Sequence, residues 1–161
     1  MNVMVIFETV EGQTGKIVQH IAGGIEGLGH SVKKIDTANK RVQASFEGLD
    51  KVILAAPVHE RRHPKTFEFF VATSRDALDE HDTLMISVSL KAAFEDGLED
   101  AQDFLTEMKM RTGFSAMRQL LLAGAVRQGS YDYFASQILL LNKTQMSDDS
   151  SKSNRSLSQT I

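Results

Sequence analysis

The chain has no cysteine, no tryptophan, two tyrosines and only two prolines in 161 residues. Without cysteine there is no disulfide framework, no thiolate nucleophile and no iron–sulfur ligation, and a reducing cytoplasmic setting fits. No run reaches the roughly 18 apolar residues that a transmembrane helix needs. The start, Met1-Asn2-Val3, lacks the basic region and small-residue cleavage site of a secretory signal. Excess charge is missing too. The net value is −3, with no basic stripe and no repeated aromatic platform, so nucleic acid is not an expected partner.

What is present is alternation. Apolar runs suited to buried strands occur at Val3–Phe7, Val52–Ala56, Leu84–Val88 and Leu120–Ala125, with a weaker, edge-like run at Ser31–Ile35. Between them, Ile17, Ile21, Ile25 and Leu28 have helical spacing and Gly29 stands as a C-terminal cap. Pro64 suits the first turn of a helix whose inner face carries Phe67, Phe70 and Val71. Leu98, Ala101, Phe104, Leu105 and Met108 outline another, closed by Gly113. Near-continuous apolar strands alternating with helices predict an α/β domain with a parallel sheet covered on both faces. Residues 37–50 read as a longer loop with one helical turn. Tyr131, Phe134, Ile138 and Leu141 predict an amphipathic helix over 131–143. Residues 1–145 are expected to form the domain, and 146–161, rich in Ser, Asp, Asn and Lys, a disordered tail.

The most informative segment runs from Val3 to Lys16, where an apolar strand breaks into a turn bearing hydroxyls and glycine and then begins a helix. Unpaired N–H groups at the helix start, the helix dipole and the hydroxyls of Thr9 and Thr14 would together cradle a phosphate. The plainer alternative is an ordinary strand-to-helix turn capped by Thr14. In a parallel α/β sheet the ligand lies beyond the carboxyl ends of the strands, where strand order reverses. Three loops should meet there: Glu8–Thr14, Pro57–Pro64 and Ser89–Ala93.

Other phosphate folds fit poorly. The first turn lacks the paired glycines of a dinucleotide fingerprint, and Gly12-Gln13-Thr14-Gly15-Lys16 is too short for a nucleoside-triphosphate loop, with Ile17 where a hydroxyl belongs. A phospho-acceptor receiver would want an aspartate where Ala55-Ala56-Pro57 stands. His59-Glu60-Arg61-Arg62-His63 matches the H-E-x-x-H zinc-protease pattern, but that chemistry needs both histidines on one helical face. Pro64 directly after His63 disfavours helix there, so a loop and no metal site is expected. Arg61, Arg62, His63 and Lys65 form a basic cluster that reads equally as a solvated loop or as a docking surface for an acidic substrate or partner. His20, His30 and His81 read as surface or helix-end residues.

With these loops in place the chain resembles the flavodoxins, and within them the menaquinone-dependent protoporphyrinogen IX dehydrogenases of bacterial haem synthesis. Flavodoxins carry T/S-x-T-G-x-T after the first strand. Thr9-Val10-Glu11-Gly12-Gln13-Thr14 fits it except at Glu11, where the haem-pathway relatives also carry an acidic residue. Ala123-Gly124-Ala125-Val126-Arg127 and Tyr131-Asp132-Tyr133-Phe134 extend the similarity, the latter resembling the start of an inserted helix.

The resemblance implies a flavodoxin-like three-layer sandwich, a five-stranded sheet in the order 2-1-3-4-5, and an FMN site. Thr9, Glu11, Gly12, Gln13 and Thr14 would hold the phosphate, with the Glu11 side chain turned outward. Pro57, Val58, His59, Glu60 and Arg61, and Ser89, Leu90, Lys91 and Ala92, would flank the isoalloxazine ring. Neither ring loop holds a tryptophan or tyrosine, leaving His59 or Arg61 to stack. The implied function is an FMN-dependent oxidoreductase passing electrons to a quinone or small-molecule partner, with peripheral contact at the inner membrane. An electron carrier and a cofactor-free interaction module are the alternatives. No counterpart of the relatives' final covering helix is found after Thr144, which would bare apolar sheet surface near the first helix and favour a homodimer.

Overall fold

A computed structural model describes residues 1–124, which form a three-layer α/β sandwich around one parallel sheet. The elements are β1 (Asn2–Phe7), α1 (Gln13–Gly27), β2 (Ser31–Asp36), β3 (Lys51–Pro57), α2 (Lys65–Thr73), α3 (Arg75–Asp79), β4 (Asp82–Val88), α4 (Leu98–Thr112) and β5 (Arg118–Leu122). The strand order is β2-β1-β3-β4-β5, as expected. The expectations for 131–143, for the tail and for a missing last helix fall outside the described residues.

Pleating sorts the strand side chains into two cores. Val3, Val5, Ile53, Ala55, Leu84, Ile86 and Leu120 join Ile17, Ile21 and Ile25 of α1 on one face. Met4, Ile6, Val52, Leu54 and Met85 join Phe67, Val71, Leu78, Leu105 and Met108 from α2, α3 and α4 on the other. Spacing at i, i+4 and i+8 puts Ile17, Ile21 and Ile25 on one stripe, each at most 1% exposed. Burial of each such side chain contributes roughly 2–3 kcal/mol. β2 exposes Ser31, Lys33 and Lys34 and buries only Ile35 because it is an edge.

Several boundaries moved. Pro64 precedes α2 as its N-cap instead of lying in its first turn. β5 starts at Arg118, two residues before the apolar run, because parallel pairing opposite Leu84–Val88 extends to Arg118 and Gln119. α3 was not anticipated, and residues 37–50 contain turns but no helix. The homodimer expectation, which rested on the missing last helix, falls outside the described residues with it.

Candidate functional site

The chain leaves β1 toward β2 on one side and later returns to β3 on the other, so strand order reverses at β1/β3. The loops beyond the carboxyl ends begin firmly anchored. Glu8 N–H donates to Ala55 O, Val58 N–H to Val88 O, and Ser89 N–H to Leu122 O, each extending a strand ladder by one step. Between these loops lies a cleft of about 410 Å³.

From the first loop, Val10, Glu11, Gln13 and Thr14 line it. Gly12 sits at φ 91°, a left-handed turn that glycine adopts without steric cost, and serves as the N-cap of α1. No side chain caps this helix. Thr9 Oγ1 instead accepts from Gly12 N–H at 3.0 Å, folding the turn on itself. The Thr14 hydroxyl is buried without a hydrogen-bond partner. This rules out the plain capped turn: the threonine that would cap does not. A buried hydroxyl beside an uncapped helix start is a set of donors that an anion could satisfy.

The second loop contributes Pro57, Val58, His59 and Glu60. It is a tight turn, with His59 N–H donating to Arg62 O at 2.9 Å and Arg62 N–H returning to His59 O at 3.2 Å. Glu60 and Arg61 both have positive φ, 51° and 66°, a backbone that costs non-glycine residues about 1 kcal/mol or more each. The H-E-x-x-H stretch is therefore not helical. His59 is exposed, whereas His63 is 1% exposed and its Nε2 meets Ser87 Oγ at 2.8 Å. Burial depresses the His63 pKa to about 4, with Arg111 adding and Glu68 opposing, so the ring is neutral at pH 7.

The basic cluster does not form one surface. His63 is inside, and Arg62 is bound to Glu68, donating Nε and Nη2 to Oε1 at 3.0 and 2.8 Å. Arg111 of α4 holds the other side of the same carboxylate, with Nη2 2.7 Å from Oε2. That bonding to Glu68 raises the Arg111 pKa. Arg61 lies over the Phe104 ring at 5.3 Å and does not line the cleft. Only Arg61 and Lys65 of the four are exposed. Sequence reading missed Glu68, although a carboxylate inside the run Phe67-Glu68-Phe69-Phe70-Val71 was the signal for it.

The third loop brings Ser89 and Leu90 to the cleft. Ser89 Oγ accepts from Ala92 N–H at 3.3 Å and starts a 3₁₀ turn over Leu90–Ala93. Lys91 turns away to Asp100, 3.3 Å distant, and Ala92 does not line the cleft. Gly97 closes this loop, where a Cβ would stand 2.3 Å from the Lys91 carbonyl oxygen. Among the described residues, Val88 and Gly124 also line the cleft and were not anticipated. The rule that sent three loops to the carboxyl edge also applies to the residues after β5.

The Flavodoxin domain family profile matches residues 4–153. Protoporphyrinogen IX dehydrogenase [quinone] of Escherichia coli strain K12 is 24% identical over 137 residues, covering 83% of this chain and 74% of the relative. Among solved structures, oxidised Flavodoxin 1 from Bacillus cereus aligns at TM-score 0.56 and 23% identity, over 84% of this chain and 95% of that one. Fusobacterium nucleatum flavodoxin bound to flavin mononucleotide aligns at TM-score 0.56 and 13% identity, over 89% and 98%. No helix among the described residues is long and apolar enough to cross a membrane.

Proposed function

This chain belongs to the flavodoxin domain family, and on that premise we propose that it is an FMN-binding redox protein whose cofactor occupies the cleft between the first, second and third loops. The observation that carries this reading is the buried, partnerless Thr14 hydroxyl at the uncapped start of α1. Thr14 would donate to the phosphate, and Gly12 would let the backbone approach it closely. Glu11 is exposed although it lines the cleft, so its carboxylate stays hydrated while its backbone N–H would serve the phosphate. Two side chains offer ring contact from opposite loops: His59, and Leu90, which is 76% exposed as large apolar side chains rarely are. Lys91, Ala92 and Arg61 carry no ring contact in this reading, since each lies outside the cleft lining.

FMN supplies the one- and two-electron chemistry, and the protein's part is to bind, orient and tune it. We extend the proposal to an oxidoreductase that takes hydrogen from a porphyrinogen and delivers it to a quinone, with residues 1–145 as the flavin domain. The similarity to the Escherichia coli dehydrogenase supports this finer step. A flavodoxin-type electron carrier is the second reading, favoured by the likeness in fold to the Bacillus and Fusobacterium flavodoxins.

The visible spectrum of the purified chain tests the first claim: flavin maxima, appearing as isolated or after adding FMN, are expected, and a colourless protein unresponsive to FMN would leave only an interaction module. Menadione-dependent oxidation of protoporphyrinogen separates the other two. Acceleration above autoxidation supports the enzyme; none leaves the carrier.

A further inference from the structure

A second groove, about 900 Å³, lies between the β2–β3 connection and α2, and shares no lining residue with the loop cleft. It exists because the alternation of strand and helix fails once. Residues 37–50 cross from β2 to β3 without a helix, and Val42, Ala44, Phe46 and Leu49 are the apolar side chains that pack against the core. A thin extended segment covers less than a helix would and leaves a trough beside α2.

The chemistry of the trough is lopsided. Val42, Ala44 and Phe70 are half-buried along it, and Phe69 is 71% exposed. Lys40 and Lys65 also line it, both exposed and neither in an ion pair among the described residues. Among the described residues, no aspartate or glutamate lines it. The neighbouring Glu8 carboxylate is buried, its Oε1 accepting the Thr37 hydroxyl at 2.7 Å and the Thr66 hydroxyl at 2.5 Å. An exposed ring, an apolar wall and two unpaired ammonium groups complement one ligand chemistry: a flat apolar body bearing an anionic group. We propose that this groove binds an aromatic carboxylate as a site separate from the loop cleft.

The test is a ¹H–¹⁵N NMR titration of the full chain, saturated with FMN where FMN binds, using 2-naphthoate as probe. Saturable shifts centred on the amides of Lys40, Val42 and Phe69 are expected. The double variant Lys40→Glu/Lys65→Glu should weaken binding about tenfold or more, and Phe69→Ser should also weaken it. Neutral 2-naphthylmethanol should bind the wild type more weakly than the acid. All three substituted side chains are exposed, so the spectrum of each variant also reports that its fold is intact. Shifts confined to the Val10–Val58 cleft, no saturation at millimolar probe, or equal affinity in the double variant would overturn the proposal.

Discussion

Thr14 and His63 are both almost fully buried, and each keeps one polar atom without a partner. The two orphans have different consequences. The threonine faces the cleft, where a ligand would complete it; the histidine is packed behind the second loop and bonded only to Ser87. Its folded-state pKa of about 4 lies below the ordinary 6.5, so from pH 6.5 down to about 4 the unfolded chain binds the proton and the folded one does not. Stability should therefore be flat with pH above about 6.5 as far as this group is concerned. It should then fall as pH drops through that window, by up to roughly 3 kcal/mol. Urea unfolding across pH 4–7 checks this, and His63→Gln should flatten the profile. Thr14 was legible in the sequence because its signal is local, a hydroxyl at fixed spacing behind a strand and a glycine. The burial of His63 was not, since it depends on Ser87, 24 residues away, and on a turn whose positive φ values no glycine announces.

Among elements, the strands and main helices followed from hydrophobic period alone, because both faces of a parallel sheet must be apolar. The misses have tertiary causes. α3 is a five-residue helix with one buried side chain, Leu78, too short to show a period. The basic loop became structural because Glu68 on α2 ties Arg62 to Arg111 on α4. Glu68→Gln would face two guanidinium groups with a neutral amide and should cost about 3 kcal/mol. It should also loosen the second loop. Faster hydrogen exchange at the His59 and Arg62 amides, which bond each other's carbonyls, is the local readout; unchanged exchange would mean the turn holds itself.

At the scale of the whole molecule, the two ends of the sheet do different work. The carboxyl edge gathers the loops, while at the opposite edge Lys51 and Arg118 pair with Asp82 across β3, β4 and β5. Burial lowers the Lys51 pKa more than Asp82 raises it, so this ammonium depends on its partner. Asp82→Asn should destabilise the fold by about 3 kcal/mol in thermal or urea unfolding. Ligand affinity in the remaining folded protein should be unchanged, because the cleft lies at the other end of the strands. The order of the strands was legible as a consequence of family resemblance and alternation. The second groove was not, because a missing helix leaves no residue pattern of its own.

The central claim is that the turn after β1 grips a phosphate through Thr14. Flavin fluorescence titrations comparing FMN with riboflavin, which lacks the phosphate, test it most directly in the wild type and in Thr14→Val. That variant removes a hydroxyl with no partner among the described residues, so stability should change by no more than about 0.5 kcal/mol. FMN should bind the wild type far more tightly than riboflavin, and Thr14→Val should cut that preference about tenfold while leaving riboflavin affinity unchanged. Equal affinity for the two flavins in the wild type would contradict the account.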